Sequence, residues 1–240
     1  MDNLTDSVGG ANLFGGGGTY SFVEDRYCIQ NKAIYFNHGY LQIPSGIYFS
    51  GDFTITAWIY LKSYVDWQNI FYFGNESTNN DSIIFQMYSN TSRIGLTVYD
   101  LMSQNDFYAQ SSETNYIGLN KWNYVQIYLA YNGRQAVIYN NCANLGVSSL
   151  PMPNKVTRTT NFIGKTASVS DPNLYANAIY DDIKIYQGKI DVSKDCASSG
   201  RVFGNIKNSC PTTTTTTTSL NTIPGKYISQ KIIFIIFNFF

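Results

Sequence analysis

Phe53-Thr54-Ile55-Thr56-Ala57-Trp58-Ile59-Tyr60-Leu61 is nine residues of unbroken alternation. Its odd positions are all apolar and its even positions are Thr, Thr, Trp and Tyr, so an extended chain puts one face in a core and leaves the other amphipathic. The pattern recurs in Val125-Gln126-Ile127-Tyr128-Leu129-Ala130-Tyr131, which runs into Asn132-Gly133 and a returning run from Gln135 to Tyr139. Asn-Gly between two alternating runs marks a tight hairpin, because both central residues of that turn need positive φ. A third segment, Ile179-Tyr180-Asp181-Asp182-Ile183-Lys184-Ile185-Tyr186, alternates as well. From Thr19 to Tyr186 short apolar runs are separated by Asn, Gly, Ser and Asp clusters, with no helical window longer than two turns. That spacing predicts an all-β fold, a sandwich or a jelly roll.

Composition narrows the function. Sixteen Lys and Arg balance sixteen Asp and Glu, so the basic footprint of a nucleic-acid or anionic-membrane partner is missing. The chain has one His (His38) and three Glu (Glu24, Glu76, Glu113), few parts for acid–base or metal-hydrolase chemistry. Twenty Tyr and nineteen Gly favour strands and turns. A soluble, non-catalytic β protein is the expectation.

The 240 residues divide into a flexible Gly-rich lead-in (1–18), a β domain (19–190), a Cys-containing tail (191–210), and a Thr-rich linker with a short apolar end (211–240). The opening carries no charged and apolar leader pattern, and reads as that of a fragment. Pro211 precedes seven consecutive Thr, a tract that cannot build a core. The nine residues from Ile232 to Phe240 would span only about 13 Å as a helix, too short to cross a bilayer. Cys28, Cys142, Cys196 and Cys210 form no CxxC pair, which favours two disulfides and an oxidising, extracellular or cell-surface setting. Three connectivities are open; the short-loop choice joins Cys196 to Cys210 and Cys28 to Cys142. Asn75, Asn80 and Asn90 head glycosylation sequons within a polar stretch that reads as a loop.

These segments, in this order, resemble the LamG-like jelly rolls of the concanavalin A-like lectin/glucanase superfamily, related to laminin G and pentraxin modules. Ala33-Ile34-Tyr35-Phe36 with Tyr40-Leu41-Gln42-Ile43-Pro44 is similar to that family's opening strands, and Phe53 to Ile59 to its "FTISAWV" strand. Lys121-Trp122-Asn123-Tyr124-Val125 through Tyr139 is similar to its central hairpin. Asn161-Phe162-Ile163-Gly164 followed by Ile179 to Tyr186 is similar to its closing "IDDVRIY" strand. The resemblance implies an all-β, two-sheet antiparallel jelly-roll sandwich that binds a glycan or glycoprotein, often with calcium. A protein–protein adhesion module, using the outward tyrosines Tyr124, Tyr128, Tyr180 and Tyr186, is the alternative. A glycoside hydrolase is disfavoured, since the E-x-D-x-x-E spacing of the glucanase branch is missing and Asp181 and Asp182 point to opposite strand faces by parity.

Two candidate sites follow. By parity Asp181 lies on the core face with Ile179, Ile183 and Ile185, while Asp182 faces solvent with Tyr180 and Lys184. A carboxylate on an apolar face needs a cation or several donors. Ca²⁺ would satisfy it, with Asp25 and Asn37 as further ligands on the family pattern, although Asn37 stands where the family carries an aspartate. Loop amides or Arg26 would satisfy it equally. The second candidate is a carbohydrate contact at Trp67, flanked by Tyr64, Asp66 and Asn69, because an aromatic face suits the CH-rich face of a pyranose. Trp58 and Trp122 belong to the strand motifs and are read as structural.

Overall fold

The computed structural model describes residues 4–6, 10–65, 67–75, 81–87, 92–100, 105–110, 117–130, 135–167, 175–192, 194–196, 205–210 and 233–235. Strands β1 (Phe14–Val23), β2 (Ala33–Ile43), β3 (Phe53–Leu61), β4 (Asn69–Gly74), β5 (Ile83–Met87), β6 (Ile94–Asp100) and β7 (Asn105–Gln110) come first. They are followed by β8 (Trp122–Ala130), β9 (Gln135–Asn140), β10 (Ala143–Ser149), β11 (Thr160–Ile163), β12 (Ala176–Gln187) and β13 (Ile233–Ile235). Hydrogen bonding is continuous in the order β10-β9-β8-β3-β12-β2-β11-β4-β5-β6-β7. All neighbours on that path are antiparallel. The two layers are therefore halves of one curled sheet. β2 is shared, pairing with β12 through its first half and with β11 through its second. At the far ends β7 comes back against β10 and closes the roll. This is the jelly-roll architecture that the family resemblance implies, one of the two that the spacing allows.

The core fills the inside of the roll. Phe53, Ile55, Ala57, Ile59 and Leu61 of β3 all enter it, as do Val125, Ile127 and Leu129 of β8. The returning run is β9, paired to β8 from Val125↔Asn140 to Ala130↔Gln135. Its Asn132-Gly133 turn lies outside the described residues. β5 is a difference from the sequence reading: Ile83–Met87 is a strand inside the stretch read as a polar loop, with Ile83, Phe85 and Met87 in the core.

The Gly-rich opening is a second difference. Gly15 to Gly18 belong to β1, which lies along β2, and Ala11 and Leu13 before it are buried in the core. The glycines permit close approach: a Cβ on Gly16 would sit 1.7 Å from the Tyr40 carbonyl oxygen. The missing side chains let this strand lie close against β2.

β12 carries the third. Asp181 pairs with Trp58, yet Lys184 pairs with Thr56, so Asp182 and Ile183 together oppose Ala57. This is a β-bulge, with Asp182 at φ 47°. It reverses the parity of the strand. Ala176, Ala178 and Tyr180 face the core before it, and Ile183 and Ile185 after it. Asp181 consequently sits on the outer face, and Asp182 is buried in the bulge instead of facing solvent.

The disulfides join Cys28 to Cys210 and Cys142 to Cys196. The short-loop pairing is thus overturned. The tail does not close on itself but returns across the outer face of β8, β3 and β12, and each of its cysteines meets a turn at that face's margin. β13 adds a short parallel strand to β12 at Lys184–Tyr186. Among the described residues no helix is long and apolar enough to cross a membrane.

Candidate functional site on the outer face

Register sets the outer face. Tyr35 pairs with Ile179, Ile179 with Tyr60, and Tyr60 with Trp122, giving one row across β2, β12, β3 and β8. The next row runs from Asp181 through Trp58 to Tyr124. Trp58, Trp122, Tyr124 and Ala33 form a second apolar cluster, packed by Val23, Tyr60, Ile179 and Ile206 of the tail. The tail is fixed by polar contacts as well. Tyr124 donates its hydroxyl to Asp195 at 2.5 Å and Gln126 its amide at 2.7 Å. Asn208 accepts the Trp122 N–H at 2.9 Å on its side chain and the Tyr60 hydroxyl at 3.1 Å on its carbonyl. Burial and the Asp195 carboxylate push the Tyr124 hydroxyl well above its usual range.

Beneath this tail lies the ionic centre. Asp25 folds the turn after β1 by accepting the N–H groups of Tyr27 (2.8 Å) and Ile29 (2.9 Å) on one carboxylate oxygen. The turn drives Arg26 inward. Its guanidinium donates to Asp181 and, at 2.6 Å, to Asp182, and lies 5.0 Å from the Trp58 ring and 4.7 Å from that of Tyr27. Burial alone would lower the Arg26 pKa, but the two carboxylates outweigh it and hold the charge. Burial, with Asp182 beside it, pushes Asp181 up to about 6 against the pull of Arg26. Parity had separated the two aspartates; the bulge brings them to one cation.

Of the predicted calcium ligands Asp25 lies near enough to act on Asp181, but Asn37 stands apart. Asn37 pairs with Asn177, four residues along β12 from Asp181, a displacement of about 13 Å. It is exposed, and its side-chain oxygen faces His38. Asp25 is taken up by backbone amides, and Asp181 and Asp182 already hold a cation in Arg26. Ca²⁺ requires six to eight oxygens around it, and among the described residues no group of three acidic, His or Cys side chains is arranged to hold a metal. This donor set does not fit the ion.

The carbohydrate candidates also separate. Trp67 is 38% exposed at φ 55°, a backbone conformation uncommon for a bulky residue. It is held there by its neighbours. Asn69, fully covered, donates to the Trp67 carbonyl at 3.0 Å, and buried Gln68 donates to the Ser63 carbonyl at 3.2 Å and accepts the Asn177 N–H at 3.1 Å. Asn69 is thus a support and not a ligand contact. Tyr64 packs on the core and gives its hydroxyl to the Ile117 carbonyl, while Asp66 lies outside the described residues. Of the sequons, Asn75 is half-buried and accepts the Thr159 N–H; Asn80 and Asn90 lie outside the described residues. The four tyrosines read for adhesion do not share one face. Tyr180 is in the core and Tyr124 under the tail, while Tyr128, which donates to Asp52, and Tyr186 are half-buried in one row across Thr54.

What the sequence reading missed is a groove of about 570 Å³ over the first outer row. Tyr35, Tyr60, Ile179 and Asn177 form its floor, Lys62 and Glu24 its sides, and Asn208 to Cys210 its wall. Asn177 links it to the Trp67 loop, bonding Ser63 through its side chain and Gln68 through its backbone. The available signal was parity: Tyr35 and Tyr60 are outward positions of two strands that flank β12.

With the curled sheet, closing strand and hairpin in place, residues 36–193 match the Laminin_G_3 family model, described as concanavalin A-like lectin/glucanases superfamily. The chain belongs to that family. No curated protein matches it in sequence. Among solved structures it is similar to the binding domain of Paraclostridial Mosquitocidal Protein 1, with 18% identity over 81% of this chain and 48% of that one, TM-score 0.59. It is similar to the SAP-like pentraxin of Limulus polyphemus, with 14% identity over 75% and 80%, TM-score 0.53. It is also similar to the NanB sialidase of Streptococcus pneumoniae, with 13% identity over 69% and 27%, TM-score 0.56. The chain spans about a quarter to a half of the sialidase and mosquitocidal-protein chains it matches. At these identities the likeness is one of fold. The fold is that of a lectin-type laminin G domain, an architecture that toxin binding domains and a pentraxin share.

Proposed function

We propose that this laminin G-type domain is a non-catalytic extracellular module that binds a glycan or glycoprotein through the outer-face groove, without calcium. The groove carries the reading. It has the volume of a small-ligand site, two tyrosine rings on its floor, and polar groups at its rim. Tyr35 and Tyr60 stand two strand spacings apart, about 10 Å, with Ile179 between them. That is an apolar strip suited to sugar C–H faces, and the Trp67 loop continues it through Asn177.

Two observations support the absence of catalysis and of a metal. Glycoside hydrolysis needs two carboxylates facing across the substrate. Among the described residues Glu24 is the single carboxylate lining the groove, and Asp181 and Asp182 are bound to Arg26 beneath the tail. The same arginine supplies internally the positive charge that Ca²⁺ would bring. The two disulfides accord with an oxidising, extracellular setting.

The test is a glycan array probed with the whole chain, in Ca²⁺ and again in EDTA. Retained signal in EDTA that falls in Tyr60→Ala and Trp67→Ala is expected. Signal abolished by EDTA would overturn the calcium-free reading. A blank array with retained capture of deglycosylated protein ligands would overturn the glycan reading.

A further inference from the structure

Resting on that reading, we propose that the groove selects an acidic sugar: a polyhydroxylated ring that carries a carboxylate. Lys62 is the basis. It leaves the end of β3, where its N–H donates to the Asn177 carbonyl at 3.1 Å. Its side chain lines the groove. The ammonium lies 4.7 Å from the Tyr60 ring centre and 6.0 Å from that of Tyr35. Among the described residues no carboxylate forms an ion pair with it. The charge is exposed, and ring faces, not an anion, are its neighbours.

Glu24 lines the same groove and accepts from the Gln30 side chain. One ammonium and one carboxylate, set about a tyrosine floor, sort ligands by chemistry. A simple anion is attracted by Lys62 and repelled by Glu24, and a cation meets the reverse. A neutral sugar gives its hydroxyls to Glu24 but leaves Lys62 without an anion. An acidic sugar satisfies every element at once: its carboxylate pairs with Lys62, a hydroxyl donates to Glu24, and its C–H face lies on Tyr35 or Tyr60. Charge-assisted hydrogen bonds are about twice as strong as neutral ones, so this pairing governs selectivity. Uronic acids and nonulosonic acids share the required chemistry.

Titration calorimetry on the whole chain tests this, with a glucuronic-acid disaccharide, a sialylated trisaccharide, and lactose and cellobiose as neutral counterparts. Each is run on the wild type, Lys62→Met and Lys62→Arg. Methionine keeps an apolar stem over the tyrosines and removes only the charge, and thermal melts verify that each variant folds. At least one acidic sugar should bind tenfold or more tighter than its neutral counterpart, with that preference lost in Lys62→Met and largely restored in Lys62→Arg. Which acidic sugar binds distinguishes the two sources. Equal binding of acidic and neutral sugars, or a preference unchanged in Lys62→Met, overturns the inference and leaves glycan binding standing. No binding by any sugar overturns both.

Discussion

Replacing Arg26 by Ala should cost about 3–5 kcal/mol of stability at about pH 8, the usual penalty for removing one partner of a buried ion pair. The magnitude follows from burial. Arg26 and Asp181 are each about 2% exposed and Asp182 7%, so water cannot substitute for the guanidinium. Lost contact with the Trp58 and Tyr27 rings adds to the same side. The pH dependence makes the reasoning refutable. In the wild type burial and Asp182 already hold Asp181 up to about 6, above its ordinary 3.8. A carboxyl raised on folding costs stability when ionised, so that cost is full above the folded pKa and vanishes below the unfolded one. Removing Arg26 raises the folded value further. Both proteins therefore lose stability in parallel as pH rises from about 4 to 6, and above 6 only the variant continues to lose, by about 1.4 kcal/mol per unit for each proton. Urea unfolding of the two proteins at about pH 6 and 8, disulfides intact, measures the gap at each pH. It should be smaller at pH 6. A variant within about 1 kcal/mol of wild type at pH 8, where a buried pair is broken, refutes the assignment. So does a gap that widens on acidification.

Three further outcomes are expected. Replacing Cys28 and Cys210 by Ser removes a link across a separation of 182 residues, worth about 5 kcal/mol by chain entropy against about 4 for Cys142–Cys196 across 54. Because Cys210 also walls the groove, denaturant midpoints and glycan affinity should fall together in that variant. Gly16→Ala places a methyl where only 1.7 Å separates it from the Tyr40 carbonyl oxygen, so amide exchange along β1 should accelerate while that of β3 and β8 stays protected. Asn69→Ala removes the donor to the Trp67 carbonyl, at a cost of about 1 kcal/mol. It should weaken Trp67-dependent binding more than it lowers the melting temperature; an unchanged affinity would mean the turn holds its shape without it.

The fold was legible because its information is local. In β3 and β8 a period of two survives from end to end, and each position the alternation assigns to the core is there. The site was less legible because it depends on where that period breaks. Nothing in Tyr180-Asp181-Asp182-Ile183 announces a bulge; it shows only in the register of β12 with β3 on either side of Ala57. One slipped residue moved Asp181 to the opposite face, brought Asp182 inside, and joined them to an arginine 155 and 156 positions away. The short-loop pairing failed for a related reason: a short loop is the cheaper closure for a free tail, but this tail is held across the outer face by Tyr60, Trp122, Tyr124 and Gln126. The groove is the product of both nonlocal events. Its floor is set by strand register and its wall by the tethered tail, so the residues that line it come from β2, β3, β12 and the last turn before Cys210. A ligand that reads this surface reads the closure of the whole roll. Binding should therefore be lost when the tail is released, even while the core strands remain paired.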